Sequence, residues 1–139
     1  MTDLDAATLT AYGEARGEPI LGVIAVLQVI RTRVASGHWG ATWTAVCLAP
    51  AQFSCWLPSD ANAPILAQAA AQIGRAFNPV LDTIAWLAAQ ILAGAIPDVT
   101  GGATHYFAPA GVTSAPAWSR PPAVYTVTIG RHQFYRHVA

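Results

Sequence analysis

The chain has 139 residues, 54% of them hydrophobic and 10% charged, which is material for one hydrophobic core and excludes a disordered chain. Seven acidic side chains balance seven basic ones, all of them Arg, so there is no electrostatic case for a nucleic acid or an anionic membrane surface as partner. A neutral partner, or one recognised by shape, fits better.

Taken in chain order, Asp3 or Asp5 suits the cap of a first helix running to about Arg16, with Gly17 in the left-handed position that ends it. Pro19 suits the first turn of a second helix that runs to about Ser36. Its Ile20, Leu21, Val23, Ile24, Val26, Leu27, Val29 and Ile30 occupy nearly every face, the pattern of a buried central helix. Only its last turns, with Arg31 and Arg33, are expected to reach water. From Gly37 to Asp60 the sequence predicts a short helix at Thr42 to Leu48, then an irregular or short β segment through Gln52-Phe53-Ser54-Cys55. Two helices follow, about Ala63 to Phe77 and Pro79 to Gly94. Past Pro97, Gly and Pro become frequent and strand signals appear at Thr104 to Phe107 and Val124 to Ile129. Gly130-Arg131 can turn the chain into a last strand, His132 to Val138. With no repeat or linker, the expectation is a helix-dominated α+β fold, a single domain over residues 1–139 with a C-terminal hairpin.

The two densest apolar runs, Pro19 to Ile30 and Thr83 to Ile96, fall short of the roughly 18 residues that a spanning helix needs, so stable membrane insertion is not expected. Met1-Thr2-Asp3-Leu4-Asp5 carries acid where a signal peptide carries base, and no apolar core follows. Synthesis in the cytoplasm is the expectation, so a substrate beyond the membrane requires separate release, for example through a holin. A monomer is expected. Cys47 and Cys55 either stay free or pair after export; two cysteines leave both open.

Carboxylates are few, which narrows the search for chemistry. Asp3 and Asp5 read as helix caps, Asp60 and Asp82 lie near helix starts, and Asp98 lies in a turn. There remain Glu14 and Glu18, in Tyr12-Gly13-Glu14-Ala15-Arg16-Gly17-Glu18-Pro19. Glu14 falls in the last turn of its helix, where the dipole disfavours a negative charge, and Glu18 adds like charge four residues on. Both favour a protonated Glu14, the form a general acid needs. The plain alternative is a surface ion pair. Glu18, beside the helix break, reads as a cap or an orienting partner, and Arg16 as the partner of a nearby carboxylate.

The run YGEARGEP, with Gly22 and Ala25-Val26 after it, resembles the SleB-type cell wall hydrolase family of spore-cortex-lytic enzymes and phage endolysins. So do Gln52-Phe53-Ser54-Cys55-Trp56, Thr100-Gly101-Gly102-Ala103-Thr104-His105-Tyr106-Phe107, Trp118, and the closing Gly130-x-His132-x-Phe134-Tyr135. These elements stand in family order from Tyr12 to Tyr135. Thr32-Arg33 departs from the family's Asn-Arg, which touches one buried hydrogen bond and not the catalytic position. The resemblance implies a lysozyme-like fold with short β elements around a cleft, and cleavage of the β-1,4 bond between N-acetylmuramic acid and N-acetylglucosamine in peptidoglycan glycan strands. It places the catalytic glutamate on Glu14. It also implies a lytic transglycosylase, in keeping with the lack of a second acid outside the same motif. No cofactor or metal is implied. Gln52 and Ser54 are candidates to bond substrate or hold Glu14, and His105 and Tyr106 to line the cleft. Trp56 and Trp118 are candidates to stack on sugar rings, with core packing as the even alternative.

Three rival readings are open on sequence alone. A metal site could draw on His38, His105, His132, His137 and the cysteines, although no H-E-x-x-H or C-x-x-C spacing occurs. Cys55 could be a nucleophile with His105 as base, as in a cell wall amidase or peptidase. A non-catalytic glycan-binding module is the third.

Overall fold

A computed structural model describes all residues, Met1–Ala139. Five helices come first: α1 (Asp3–Ala15), α2 (Ile20–Ser36), α3 (Trp43–Leu48), α4 (Ala63–Gln72) and α5 (Pro79–Leu92). A small antiparallel sheet follows, of β1 (His105–Phe107), β2 (Val124–Ile129) and β3 (His132–Arg136). This is the helix-dominated α+β arrangement expected, with β2 and β3 forming the C-terminal hairpin.

The helix ends differ from the sequence expectation where local hydrogen bonding decides them. Thr2, not Asp3 or Asp5, caps α1: its hydroxyl accepts from the Asp5 N–H, and the Asp5 carboxylate accepts from the Thr2 N–H in return. Asp3 is thereby freed to accept from the backbone and hydroxyl of Thr44 at 2.9 and 2.6 Å, tying α1 to α3. Gly17 does not take the left-handed conformation; α1 ends at Arg16 in right-handed geometry, and Pro19 stands just before α2 rather than inside it. Gly37 does close α2 in the left-handed region, at φ 72°. α4 stops at Gln72, short of Phe77, because Gly74 turns the chain at φ 69° and Asn78 then caps α5 through the Leu81 N–H. α5 ends at Leu92, two residues before Gly94, itself at φ 73°. Of the two expectations for Gln52 to Cys55, the irregular one holds for Gln52 and Phe53 and the strand does not form; the chain then winds into a single 3-10 turn, Ser54–Trp56, with no strand beside it to pair with.

α2 is the central helix, with Val26, Leu27, Val29 and Ile30 all fully buried. Arg31 reaches water as expected, but the first turn and Arg33 depart from expectation. Ile20 and Leu21 at the first turn are 56% and 48% exposed, while Arg33 is only 5% exposed. Arg33 tolerates burial because its Nε donates to the Thr104 carbonyl at 2.7 Å and its Nη1 to Gln52 Oε1 at 3.2 Å. Its guanidinium also lies 5.1 and 5.2 Å from the ring centres of Trp39 and Phe53. No helix is long and apolar enough to cross a membrane.

In the sheet, β3 lies between β1 and β2, with His105 opposite Tyr135 and Tyr106 opposite Phe134. A register shift between Tyr125 and Val127 marks a bulge, and Thr126 there donates to the Thr100 carbonyl at 2.6 Å. β3 ends at Arg136 rather than Val138 because His137 swings to φ 55°. Phe134, fully buried, seats the sheet on α2 through Ala25 and Val29. Tyr106, partly buried, packs against all three hydrophobic clusters.

The β2–β3 turn rests on the α1–α2 link. Gly130 holds φ 57°, and a Cβ there would fall 2.6 Å from Glu18 Oε2 and 3.2 Å from Pro19 Cδ. Gly130→Ala is expected to lose roughly 1–2 kcal/mol from the left-handed backbone alone, with the hairpin displaced further by the contact. Urea denaturation checks this; an unchanged midpoint would mean that the turn does not need glycine.

Candidate active site

Glu14 sits half-buried in the last turn of α1. The Ser54–Trp56 turn can approach that helix because Gly13 has no side chain: a Cβ there would lie 2.6 Å from Cys55 Cβ. The approach brings the Cys55 N–H to 3.0 Å from Glu14 Oε1, with the Ser54 hydroxyl at 3.5 Å from the same oxygen. From the opposite side β1 delivers Tyr106, whose hydroxyl donates to Glu14 Oε2 at 3.0 Å. The carboxyl group is thus gripped between a helical turn and a strand. Burial first, then the neighbouring Glu14, holds the Tyr106 phenol well above its ordinary pKa, so it keeps its proton.

Glu18 is the second carboxylate, with its side chain only 4% exposed. Its Oε1 lies 3.5 Å from both Arg131 Nε and His132 Nδ1, and its Oε2 accepts from the Arg131 N–H at 3.4 Å. It makes no cap for α2, which has no side-chain capping bond; it orients the β2–β3 turn instead. His132 is buried, and its Nδ1 makes no hydrogen bond beyond the long approach to Glu18. Burial lowers its pKa against the raising effects of Glu18 and Glu14. Its ring packs on Tyr106 at 4.8 Å, so Glu18 and His132 back the tyrosine that grips Glu14.

Period-two alternation along β1 separates residues adjacent in sequence. Tyr106 faces Glu14, while His105 and Phe107 face the other side of the sheet. There His105 lies 4.9 Å from Trp118 and 5.7 Å from Trp39, and Phe107 and Tyr135 complete the aromatic layer. Burial, then Arg33, pushes the His105 pKa down to about 4, so the ring is neutral near pH 7. Gln52 accepts from Arg33 rather than reaching Glu14. Trp56 donates its indole N–H to Thr10 Oγ1 at 3.0 Å. Of the sequence candidates, Glu14, Ser54 and Tyr106 converge directly, Glu18 supports them, and Gln52, Trp56, His105 and Trp118 make their contacts elsewhere. Arg16 pairs with no carboxylate: it donates to Asn62 Oδ1 at 2.6 Å and to the Tyr12 and Gly13 carbonyls. The Cys55 N–H, Asn62, Arg131 and the backing role of His132 are absent from the sequence reading. The Gln52 to Trp56 element, the Gly130-Arg131 turn and the closing Gly130-x-His132 signal touched three of them without giving these roles.

Two open depressions meet at Glu14. One, of about 230 Å³, is lined by Glu14, Arg16, Asn62 and Arg131 among others. The other, of about 340 Å³, is lined by Glu14, Glu18, Ala108, Gly111, Arg131 and His132. Together they make a groove with Glu14 on its floor and Arg131 on both sides. A larger depression, about 450 Å³ between α2 and the Gly94–Asp98 loop, has only Asp98 as a carboxylate, and that group is engaged by Thr100 and Gly102. Nowhere do three His, Cys, Asp or Glu side chains converge to hold a metal ion. Both cysteines are free and buried, and burial pushes the Cys47 thiol up to about 11. A carboxyl group held this way, open to the groove on one side, is equipped to pass a proton to and from a bound molecule.

Residues 17–135 match the family described as Cell Wall Hydrolase, a span that begins just after Glu14. A spore cortex-lytic enzyme of Bacillus cereus is 33% identical over 133 residues, covering 95% of this chain and 43% of the relative. The enzyme of the same name from Halalkalibacterium halodurans is 32% identical over 132 residues, covering 95% and 34%. The chain therefore spans less than half the length of these relatives. Among solved structures, the catalytic domain of the germination-specific lytic transglycosylase SleB from Bacillus anthracis superposes with a TM-score of 0.66 at 30% identity, covering 95% of this chain and 92% of that one. The catalytic domain of the Bacillus cereus SleB protein gives 0.67 at 32% identity, covering 95% and 88%.

Proposed function

Because the chain belongs to the cell wall hydrolase family and has the lysozyme-like fold of its solved catalytic domains, we propose that it cleaves the β-1,4 bond between N-acetylmuramic acid and N-acetylglucosamine in peptidoglycan, as a lytic transglycosylase with Glu14 as its acid and base. The observation that carries this reading is the grip on Glu14: one oxygen against the Cys55 N–H, the other on the Tyr106 hydroxyl, at the floor of an open groove.

The chemistry follows from that grip. Protonated Glu14 gives its proton to the glycosidic oxygen as the bond to C1 of the muramic acid breaks. The Tyr106 hydroxyl donates to Glu14 Oε2 throughout, and that bond strengthens as the acid gives up its proton and becomes a carboxylate. Glu14 then takes the proton of the 6-hydroxyl of the same sugar, whose oxygen closes on C1 as a 1,6-anhydro ring. The attacking oxygen is already attached to the substrate, which gains from proximity and needs no second carboxylate to activate water. Glu18 is unsuited to activating water, since its carboxylate is buried under the Gly130 turn. Wild-type digestion of purified peptidoglycan, read by mass spectrometry, is expected to give 1,6-anhydromuramoyl ends. Hydrated reducing ends alone would make the enzyme a hydrolase.

The cysteine reading predicts the opposite of what Cys55 offers. Its thiol is 1% exposed, against α1 beneath Gly13, and burial together with Glu14 pushes its pKa well up, away from the nucleophilic thiolate. Cys55→Ser is expected to keep fragment release within about twofold of wild type, because the backbone N–H that holds Glu14 remains. Loss of activity in a folded Cys55→Ser protein, measured by turbidity clearance, would favour the amidase reading.

A further inference from the structure

The two sides of the groove differ in charge. On one side Arg16 and Arg131 flank Glu14 beside Asn62. On the other, Arg131 meets Glu14 and Glu18, with small apolar residues at Ala108 and Gly111. Glu14 apart, the first side holds two guanidinium groups and no carboxylate; Asp60, behind Asn62, is near enough to Arg16 to feel its charge. Arg16 is fixed by Asn62 and two backbone carbonyls. Arg131 is held through its Nε and its backbone N–H on Glu18, its side chain is 71% exposed, and its two terminal amino groups have no protein acceptor. An anchored guanidinium whose outer edge is unused, facing a groove, is the geometry that receives a carboxylate in a two-point bond.

We infer that Arg131, with Arg16, forms a site for a carboxylate of the peptide stem carried on the lactyl group of muramic acid, placing the stem-bearing sugar on the Arg16–Asn62 side of Glu14. The inference rests on the glycan cleavage proposed above and deepens it from a sugar strand to a stem-bearing one. Neutral N-acetylglucosamine then occupies the side lined by Ala108 and Gly111. The bond is partly screened by salt, so the preference falls as ionic strength rises.

The test compares soluble, uncross-linked glycan strands bearing tetrapeptide stems with the same strands after their stem carboxylates have been converted to neutral carboxamides, which keeps the stem and leaves no free carboxylate. Wild type is expected to prefer the strands with free stem carboxylates by roughly tenfold in KM and in Kd, the size of one charge-assisted bond. Arg131→Gln is expected to bring the two substrates to within about twofold of each other, and Arg131→Lys to restore part of the difference, since it keeps charge without the two-point geometry. The exposure of Arg131 makes misfolding no obstacle. Equal preference in wild type, or an equal loss on both substrates in Arg131→Gln, overturns the site. Measuring binding beside cleavage separates the two readings. A preference in Kd that Arg131→Gln removes, with no bond broken, would support the site and overturn the cleavage. Cleavage without preference would do the reverse.

Discussion

Glu14→Gln is expected to lower the release of soluble fragments from purified peptidoglycan by about a thousandfold, within the range for removal of a general acid–base group. Glutamine keeps the shape of the side chain and an oxygen for the Cys55 N–H, so the 3.0 Å contact that ties α1 to the Ser54–Trp56 turn survives. What it lacks is the transferable proton. Its amide can still meet the Tyr106 oxygen, and thermal unfolding should shift by no more than a few degrees. The comparison is therefore one of chemistry and not of folding. A Glu14→Gln protein that retains a tenth or more of wild-type activity would remove Glu14 from the mechanism.

Tyr106→Phe is expected to cost ten- to a hundredfold in kcat with little change in KM. Phenylalanine fills the same packed position against His132 at 4.8 Å and Phe134 at 5.5 Å, so the ring contacts persist. Only the hydroxyl on Glu14 Oε2 is lost, and a hydrogen bond to a charged group contributes about 1.5–3 kcal/mol. Because that bond is strongest when Glu14 is ionised, its loss falls on the step in which the proton departs. His105→Phe, one residue earlier, alters the far face of the sheet and should leave kcat within about twofold. Equal effects from the two substitutions would mean that Tyr106 acts through packing.

These residues were legible in the sequence to different depths. Glu14 stood out because seven carboxylates are few and most of the others sit at helix starts, where their role is plain. The adjacent pair His105 and Tyr106 read as one cleft element, yet the strand sends them to opposite faces; the period-two rule separates them once the strand is recognised. Helix ends were less legible because single side chains decide them. Thr2 takes the cap expected of Asp3 or Asp5, and Gly74 ends α4 five residues before Phe77. Arg33, expected in water, is buried because Thr104, Gln52, Trp39 and Phe53 arrive from distant parts of the chain to receive it.

By itself the sequence determined the element types and their order, the central place of α2, the hairpin at the end and the identity of the acidic motif. All of these are written in local periodicity, turn residues and short contiguous runs. The tertiary structure alone decided which donors reach Glu14, that Glu18 is buried under the Gly130 turn, and that Arg131 overlooks both halves of the groove. Those contacts join residues 40 to more than 110 positions apart. Their distances depend on how helices and sheet pack in three dimensions, a quantity that no local pattern of residues encodes.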